Sequence, residues 1–407
     1  MTLKLVPPAG TPIQWKDLFR SISGLIRGHS RGSFERELKR YLGINHCFFV
    51  SSGRAALTLI LKSLYQISGK EEVIIPAYTC FTVPASVVRA NLKVRLNDVE
   101  ISTFGLDYSH LQKQNLHNVL AIVVASLFGL PGEMDRFSEF AHKNGLFLID
   151  DSAQSLGASW RGKKVGTFGD VGFYSLSKGK NITTIQGGII VTNDHNIASK
   201  ISLLISTLPP SNKFENFGLF VKSLTYALFL HPHFYRLPAK LPFLRLGISE
   251  FNPDFKIESF ASWQASLGRQ LLDKLGELNQ KRRENAKRLI DELRVCNGLI
   301  TPEVSPYGEP VFLRLPILVR DLKVREMIFR GLLKAGIGVS KMYPSSLDHI
   351  PSLRPHLVGD TNRFPKARFV ASHILTLPTH PYLKPSDKAR ITCLIKKTLN
   401  SHENTSS

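Results

Sequence analysis

The sequence predicts an α/β protein: a large domain on a mainly parallel, mixed sheet flanked by helices, followed by a smaller C-terminal α/β domain. Three observations carry that expectation. Between Gly43 and Asp194 short β-branched or aromatic runs alternate with helical ones, the order that a parallel sheet with helices on its faces produces. A chain of 407 residues, 43% of them hydrophobic, has enough apolar surface for two packed lobes. Past residue 258 comes a long helical pattern and then a second, shorter mixture of strands and helices, so the expected division is 1–258 and 259–407.

In chain order, 46–50 reads as a strand, 51–53 as its turn, and 55–65 as a helix whose Ala56, Leu57, Ile60, Leu61 and Leu64 share one face. Strands are expected at 73–75, 93–96, 119–126, 146–150, 171–176 and 188–191, and helices at 81–90 and 133–143. From 207 to 249 the character changes to aromatics interleaved with Lys and Arg and almost no acid, which reads as an inserted segment. A helical pattern covers 259 to about 292, and the chain past about 400 is a polar tail.

Composition narrows the function. With 53 Lys plus Arg against 32 Asp plus Glu, the net charge of +21 attracts polyanions. No basic block reaches five like charges in a row, so the charge does not form a nucleic-acid arm. Cys47, Cys80, Cys296 and Cys393 form no C-x-x-C pair, which argues against a zinc ribbon, a redox dithiol or a disulfide framework and implies a reducing compartment. No metal site is expected. Pro7, Pro8 and Pro12 interrupt the segment where a secretory leader needs an unbroken apolar run, so the protein reads as cytoplasmic.

The stretch from 148 to 192 carries the chemistry. A strand ends in Asp150-Asp151-Ser152-Ala153-Gln154, and the carboxyl end of a parallel strand is where open α/β sheets bind ligands. Taken alone, the two acids are equally explained as solvated or capping residues. Next comes Ser175-Leu176-Ser177-Lys178-Gly179-Lys180-Asn181-Ile182-Thr183-Thr184, ahead of the Gly187-Gly188 turn and an apolar strand. A lysine between a strand end and such a turn projects into a cleft, where desolvation favours its neutral, nucleophilic amine and suits Schiff-base chemistry. Lys178 reads instead as a surface loop residue. Finally, Ser51-Ser52-Gly53-Arg54 opens a helix at Ala55, and backbone N–H groups at a helix start attract anions. Many βα turns share that feature.

Together these segments resemble the aspartate-aminotransferase fold (fold type I of the pyridoxal-phosphate enzymes), and more closely the DegT/StrS-type family of sugar aminotransferases. The resemblance covers most of the chain and takes in Pro76-Ala77-Tyr78-Thr79, the run from Leu127 to Asp135, the run from Val165 to Asp170, Gln270-Leu271 with Arg282-Arg283, Gly336-Ile337 and Leu375-Thr376-Leu377-Pro378. It implies that Lys180 holds pyridoxal 5'-phosphate covalently and shuttles a proton, and that Asp151 pairs with the ring nitrogen, keeping the ring an electron acceptor. It further implies that Gln154 lies near the ring hydroxyl, that Ser175 binds phosphate with Gly53, Arg54 and Ala55 at the helix start, and that Phe81 is the candidate for an aromatic stack. Gln154 and Ser175 also read as ordinary strand-end polar residues.

Three positions depart from the family pattern. Arg54 replaces a small hydroxyl residue, Cys80 stands where an aromatic ring commonly stacks, and the asparagine that usually reaches a partner subunit falls near Asn252 or Asp254. The resemblance implies a homodimer and a transaminase carrying an amino group from glutamate to a keto group of a nucleotide-linked sugar, for a surface polysaccharide or a glycosylated metabolite. The alternatives are another cyclic ketone as acceptor, or a non-catalytic binding or membrane-scaffold protein that kept the fold. Family members that dehydrate sugars replace the lysine that is present here as Lys180. Residues 214–245 suit either peripheral contact with anionic lipid or packing on the protein itself.

Overall fold

The computed structural model describes residues 4–27, 30–210, 212–239, 250–360 and 364–406. Two helices, α1 (Trp15–Arg27) and α2 (Ser30–Leu42), precede the predicted alternation. Then come β1 (His46–Val50), α3 (Gly53–Ser68), β2 (Glu72–Pro76), α4 (Thr82–Arg89), β3 (Lys93–Asn97), the single turn α5 (Tyr108–Leu111), β4 (Val119–Ala125), α6 (Met134–Lys143) and β5 (Phe147–Asp151). The two-residue strands β6 (Ser159–Trp160) and β7 (Lys163–Lys164) lead to β8 (Val171–Ser175) and β9 (Gly188–Thr192), and α7 (His195–Ser206) follows. The expected elements of this half thus form within three residues of their predicted ends, α3 running three residues past its expected C-terminus.

The inserted segment forms α8 (Lys213–Phe229) and the short α9 (Arg236–Ala239), while 240–249, with Lys240, Phe243 and Arg245, lies outside the described residues. The helical pattern over 259–292 is not one helix. It divides at Lys274 into α10 (Ser262–Asp273) and α11 (Leu275–Leu293), where the Lys274 ammonium is drawn to the buried Asp17 of α1 at 2.6 Å. α10 packs on α1 and α2, whereas α11 packs on a later helix, so the two halves of the pattern serve different cores. The rest comprises β10 (Leu299–Ile300), β11 (Gly308–Glu309), β12 (Leu315–Val319), α12 (Leu322–Lys334), β13 (Leu357–Val358), α13 (Pro365–His373), β14 (Ile374–Leu377) and α14 (Pro385–Ser406), the helix that α11 packs on.

Eight strands form the main sheet in the order β1-β9-β8-β5-β4-β2-β3-β13. β8, β5, β4, β2, β3 and β13 run parallel, and β9 runs against both its neighbours. All seven residues of β4 are buried, as a strand covered on both faces requires. A second sheet, β10-β12-β14, is antiparallel and lies among α11 to α14.

Because β9 is reversed, its first residue meets the last residues of both neighbours. Gly188 pairs with Val50 of β1 on one side and with Ser175 of β8 on the other. The turn after β1 and the end of β8 are thereby brought to one edge of the sheet. The approach is too close for a side chain: a Cβ on Gly188 would lie 2.2 Å from the Ser52 carbonyl oxygen and 2.9 Å from the Gly53 nitrogen. Backbone cannot yield as a flexible side chain can, so Gly188→Ala is expected to cost about 1–3 kcal/mol. Thermal unfolding checks this, and an unchanged melting temperature would contradict the packing described.

Candidate active site

Three strand ends and one loop build the site. β5 presents Asp150 and Asp151 in succession, and strand alternation sends them to opposite faces. Asp150 is structural: it accepts the Gly166 N–H at 2.6 Å, the Phe168 N–H at 3.3 Å and the Ser152 hydroxyl at 2.9 Å. Asp151 accepts the Ala153 N–H at 3.0 Å and faces Lys180. Burial pushes its pKa up to about 6, with the Ala153 bond and the Lys180 charge working the other way.

Lys180 lies on the loop between β8 and β9. Lys178 is exposed, while the amine of Lys180 is enclosed and burial lowers its pKa. Cys80 and Asp151 oppose that shift and Arg314 adds to it. The loop is held from behind by segments remote in sequence. The Thr11 hydroxyl donates to the Lys180 carbonyl, and the Tyr226 hydroxyl of α8 accepts the Thr11 N–H at 3.3 Å. Arg282 of α11, fully buried, donates to Thr11 Oγ1 and Asn279 Oδ1 at 2.8 Å each and to the Asn181 carbonyl at 3.3 Å. Ile185 in the same loop has φ +73°, a β-branched residue in the left-handed region, which costs on the order of 1–3 kcal/mol and persists only where the surroundings enforce it.

Across from the loop, α3 starts at Gly53, and Ser52 caps it by accepting the Ala55 N–H at 3.1 Å. A Cβ on Gly53 would lie 3.0 Å from Ser175 Cβ and 3.3 Å from its hydroxyl oxygen, so turn and hydroxyl share one small cradle. Ser175 Oγ is also 3.0 Å from Ser177 Oγ. The Arg54 guanidinium stacks on Phe255, its Cζ 4.6 Å from the ring centroid. Gln154 is buried with both ends of its amide engaged: it accepts the Phe128 N–H at 3.1 Å and donates to the Tyr343 hydroxyl at 3.2 Å.

Phe81, the aromatic candidate, is buried at the start of α4. It occupies the residue before α4 in helical conformation, and the rotation of about 100° per residue separates its direction from that of Cys80. Phe81 packs into the core with its ring 6.0 Å from that of Tyr343, and Cys80 Sγ lies 3.0 Å from Thr82 Oγ1. Asn252 and Asp254 are exposed, and the Asp254 N–H donates to Asn252 at 2.8 Å. Thr11, Tyr343, Arg314 and His380 were not singled out from the sequence. Of these only Arg314 left a signal, as one cation inside the apolar run 311–319.

A model of the DegT/DnrJ/EryC1/StrS aminotransferase family matches residues 17–396. The chain is 27% identical over 379 residues to the UDP-N-acetyl-3-dehydro-alpha-D-glucosamine 3-aminotransferase of Acidithiobacillus ferrooxidans, covering 93% of this chain and 91% of that one. It is 36% identical over 171 residues to the GDP-perosamine synthase of Caulobacter vibrioides, covering 42% of this chain and 46% of that one. Among solved structures, Helicobacter pylori PseC, an aminotransferase involved in pseudoaminic acid biosynthesis, superposes with a TM-score of 0.80 at 20% identity over 98% of this chain and 100% of its own.

The raised pKa of Asp151 gives a pH test in protein measured without cofactor. Its folded-state pKa of about 6 lies above the ordinary carboxylate value, so between pH 4 and 6 the native state holds a proton that the unfolded chain releases. Wild-type stability is therefore expected to fall relative to Asp151→Asn across that window, by up to ~3 kcal/mol, and to level off above it. Denaturant titrations at a series of pH values check this; parallel profiles would remove the assignment.

Proposed function

The chain belongs to the DegT/DnrJ/EryC1/StrS aminotransferase family and is a transaminase, and from that premise we propose that it moves an amino group from glutamate to a keto group of a nucleotide-linked sugar in two half-reactions. The observation that carries the reading is the enclosure of one amine, Lys180, with one carboxylate, Asp151, beside the Ser175–Gly53 cradle. That donor set fits pyridoxal 5'-phosphate: an amine for its carbonyl, an acid for its basic ring nitrogen, and a hydroxyl facing a helix start for its phosphate. The acceptor class is supported by the two relatives above, whose names specify nucleotide-linked sugars.

When bound, pyridoxal phosphate supplies a carbonyl for amine exchange and a ring that accepts the electron pair released at the donor's Cα. Lys180 Nζ would hold the cofactor and would accept the proton from the donor's Cα, and burial, which lowers its pKa, favours the neutral amine that such a role needs. Asp151 keeps a proton on the ring nitrogen by accepting its hydrogen bond. The Ser175 hydroxyl and the N-terminal end of α3 bind the phosphate. Gln154, anchored by Phe128 and Tyr343, would serve the ring hydroxyl. Two copies per functional unit belong to the same reading, supported by the exposure of Asn252 and Asp254.

Protein loaded with the cofactor is expected to be yellow, and borohydride reduction followed by peptide mapping should label Lys180; Lys180→Ala should lose the colour and the label. Mass spectrometry after incubation with glutamate and a panel of nucleotide-linked keto sugars and cyclic polyol ketones then identifies the acceptor, and light scattering on the same sample reads the mass of two chains. A label elsewhere, or amination of a polyol alone, would overturn the corresponding part.

A second part of the reading concerns α8. Its inner face packs Leu219, Phe220, Leu224 and Tyr226 against the core, while Phe214, at 87% exposure, and Phe217, Val221 and Leu228 face outward. The neighbouring α1 exposes Trp15 and Phe19 together with Lys16. We propose that this basic, aromatic face makes peripheral contact with anionic lipid. No helix among the described residues is long and apolar enough to cross a membrane. Flotation with phosphatidylglycerol vesicles should recover the wild type, and Phe214→Ser with Phe217→Ser should reduce recovery several-fold at unchanged melting temperature; equal recovery would refute the contact.

A further inference from the structure

Arg54 is a cation at the wrong pole of a helix. It stands in the first turn of α3, directly after Gly53, and no acidic side chain accompanies it there. The N-terminal end of a helix is its positive end and favours anions, so a guanidinium at this position opposes the dipole. No described residue forms a hydrogen bond or an ion pair with that guanidinium; its contact is the ring of Phe255, 4.6 Å from Cζ to centroid. Arg95, also half-buried, shows the ordinary arrangement, donating to Glu72 at 2.6 and 2.8 Å.

Both partners of this stack are fixed by geometry. The Arg54 carbonyl accepts the Thr58 hydroxyl at 2.9 Å and the Ser86 hydroxyl of α4 at 3.1 Å. Phe255 is buried, and the segment that follows it docks on the turn that opens α3. There the Glu258 carbonyl accepts the Ser51 N–H at 3.0 Å, Ser51 Oγ accepts the Glu258 N–H at 3.1 Å, and Val50 and Ser259 form an antiparallel bridge. The same turn carries Gly53, the glycine that shares its space with Ser175. Hydrogen bonds and strand pairing therefore place Phe255, Arg54 and Ser175 in one assembly. Stacking occupies the face of the guanidinium and leaves its in-plane N–H groups available to donate.

Resting on the transaminase reading above, we propose that Phe255 is a positioning residue of the phosphate site: its ring holds the Arg54 guanidinium beside the Ser175–Gly53 cradle, where it pairs with the phosphate of pyridoxal 5'-phosphate. The cradle otherwise offers neutral donors, the Ser175 hydroxyl and the backbone N–H groups that open α3. A helix end supplies about half a unit of positive charge, against roughly −1.5 to −2 on a phosphate monoester at pH 7. Arg54 supplies the missing charge from the same chain, and its planar fork matches two phosphate oxygens. A bound anion also removes the conflict with the dipole, because cation and helix end then face the same negative group. The diphosphate of a nucleotide-linked sugar is the competing occupant. The cofactor is favoured because Ser175 and Lys180 lie on one short segment, the end of β8 and the loop after it.

The test titrates the full chain, stripped of cofactor, with pyridoxal 5'-phosphate and with pyridoxal, which lacks the phosphate, both followed by the visible band. Uridine and guanosine diphosphates, followed by calorimetry, probe the competing occupant. Arg54→Gln is expected to raise the Kd for pyridoxal 5'-phosphate by roughly 10- to 100-fold, the loss of one charge-assisted pair, and to leave pyridoxal and the nucleotides within about twofold. Phe255→Leu keeps the charge but removes the platform, and should weaken pyridoxal 5'-phosphate several-fold with the same selectivity. Arg54→Lys keeps the charge without the fork and should fall between wild type and Arg54→Gln, so it carries the test should the Gln variant not fold. Equal losses with both pyridoxal compounds, a loss confined to the nucleotides, or wild-type affinity for pyridoxal 5'-phosphate in Arg54→Gln or Phe255→Leu overturns the proposal. Wild-type protein that takes up neither pyridoxal compound overturns the transaminase reading instead. Inorganic phosphate then decides for Arg54: a rise in melting temperature that Arg54→Gln loses supports the anion site, and no rise, or an equal one in both, overturns it.

Discussion

The protein depends on enclosing an amine and an acid together without letting them simply neutralise each other. Burial alone would strip the charge from both: it lowers the pKa of Lys180 and raises that of Asp151. Each is the other's partial remedy, because the opposite charge favours the ionised form of both. Arg314 shifts that balance toward the neutral amine, which is the form a nucleophile and proton acceptor needs. Asp150, one residue away, shows the alternative fate of a buried carboxylate. Three donors from the backbone and Ser152 engage it, and it serves the architecture only.

Such a placement needs a rigid loop, and the rigidity comes from far away. Thr11 lies before the first helix, Tyr226 on the inserted helix and Arg282 on α11, yet all three meet behind the Lys180 loop. Among the described residues Arg282 has no carboxylate partner, so its cost of burial is offset by neutral acceptors, and burial brings its pKa down to about 10. This arrangement also gives α8 a second use. Its aromatic content reads as a surface feature, but Tyr226 on its inner face is part of the support for the lysine loop.

The sheet topology supplies the other half of the site. A single reversed strand brings the turn after β1 and the end of β8 together through Gly188, and the absence of a side chain there lets the backbones approach. Gly53 and Ser175 form one cradle for that reason, although more than 120 residues separate them in the chain.

The sequence by itself determined what is local. Alternation of β-branched and helical runs located β1 to β5, β8 and β9 with helices α3, α4 and α6, though not the two-residue strands β6 and β7 or the single turn α5, and the ordered motifs around Asp151 and Lys180 pointed to the chemistry. It could also separate Lys180 from Lys178. Tertiary structure decided whatever depends on direction or on distant partners. Phe81 was legible as an aromatic beside Cys80, and only the packing at the start of α4 sets its ring 6.0 Å from that of Tyr343. The pattern over 259–292 looked like one helix because both halves carry the same period, and only the Lys274–Asp17 contact and the two separate packing surfaces divide it. Thr11, Tyr343 and His380 carry no local signal at all. Their roles arise from three-dimensional proximity, and hydrophobic periodicity, which reports one residue's exposure at a time, contains no information about which buried polar groups will meet.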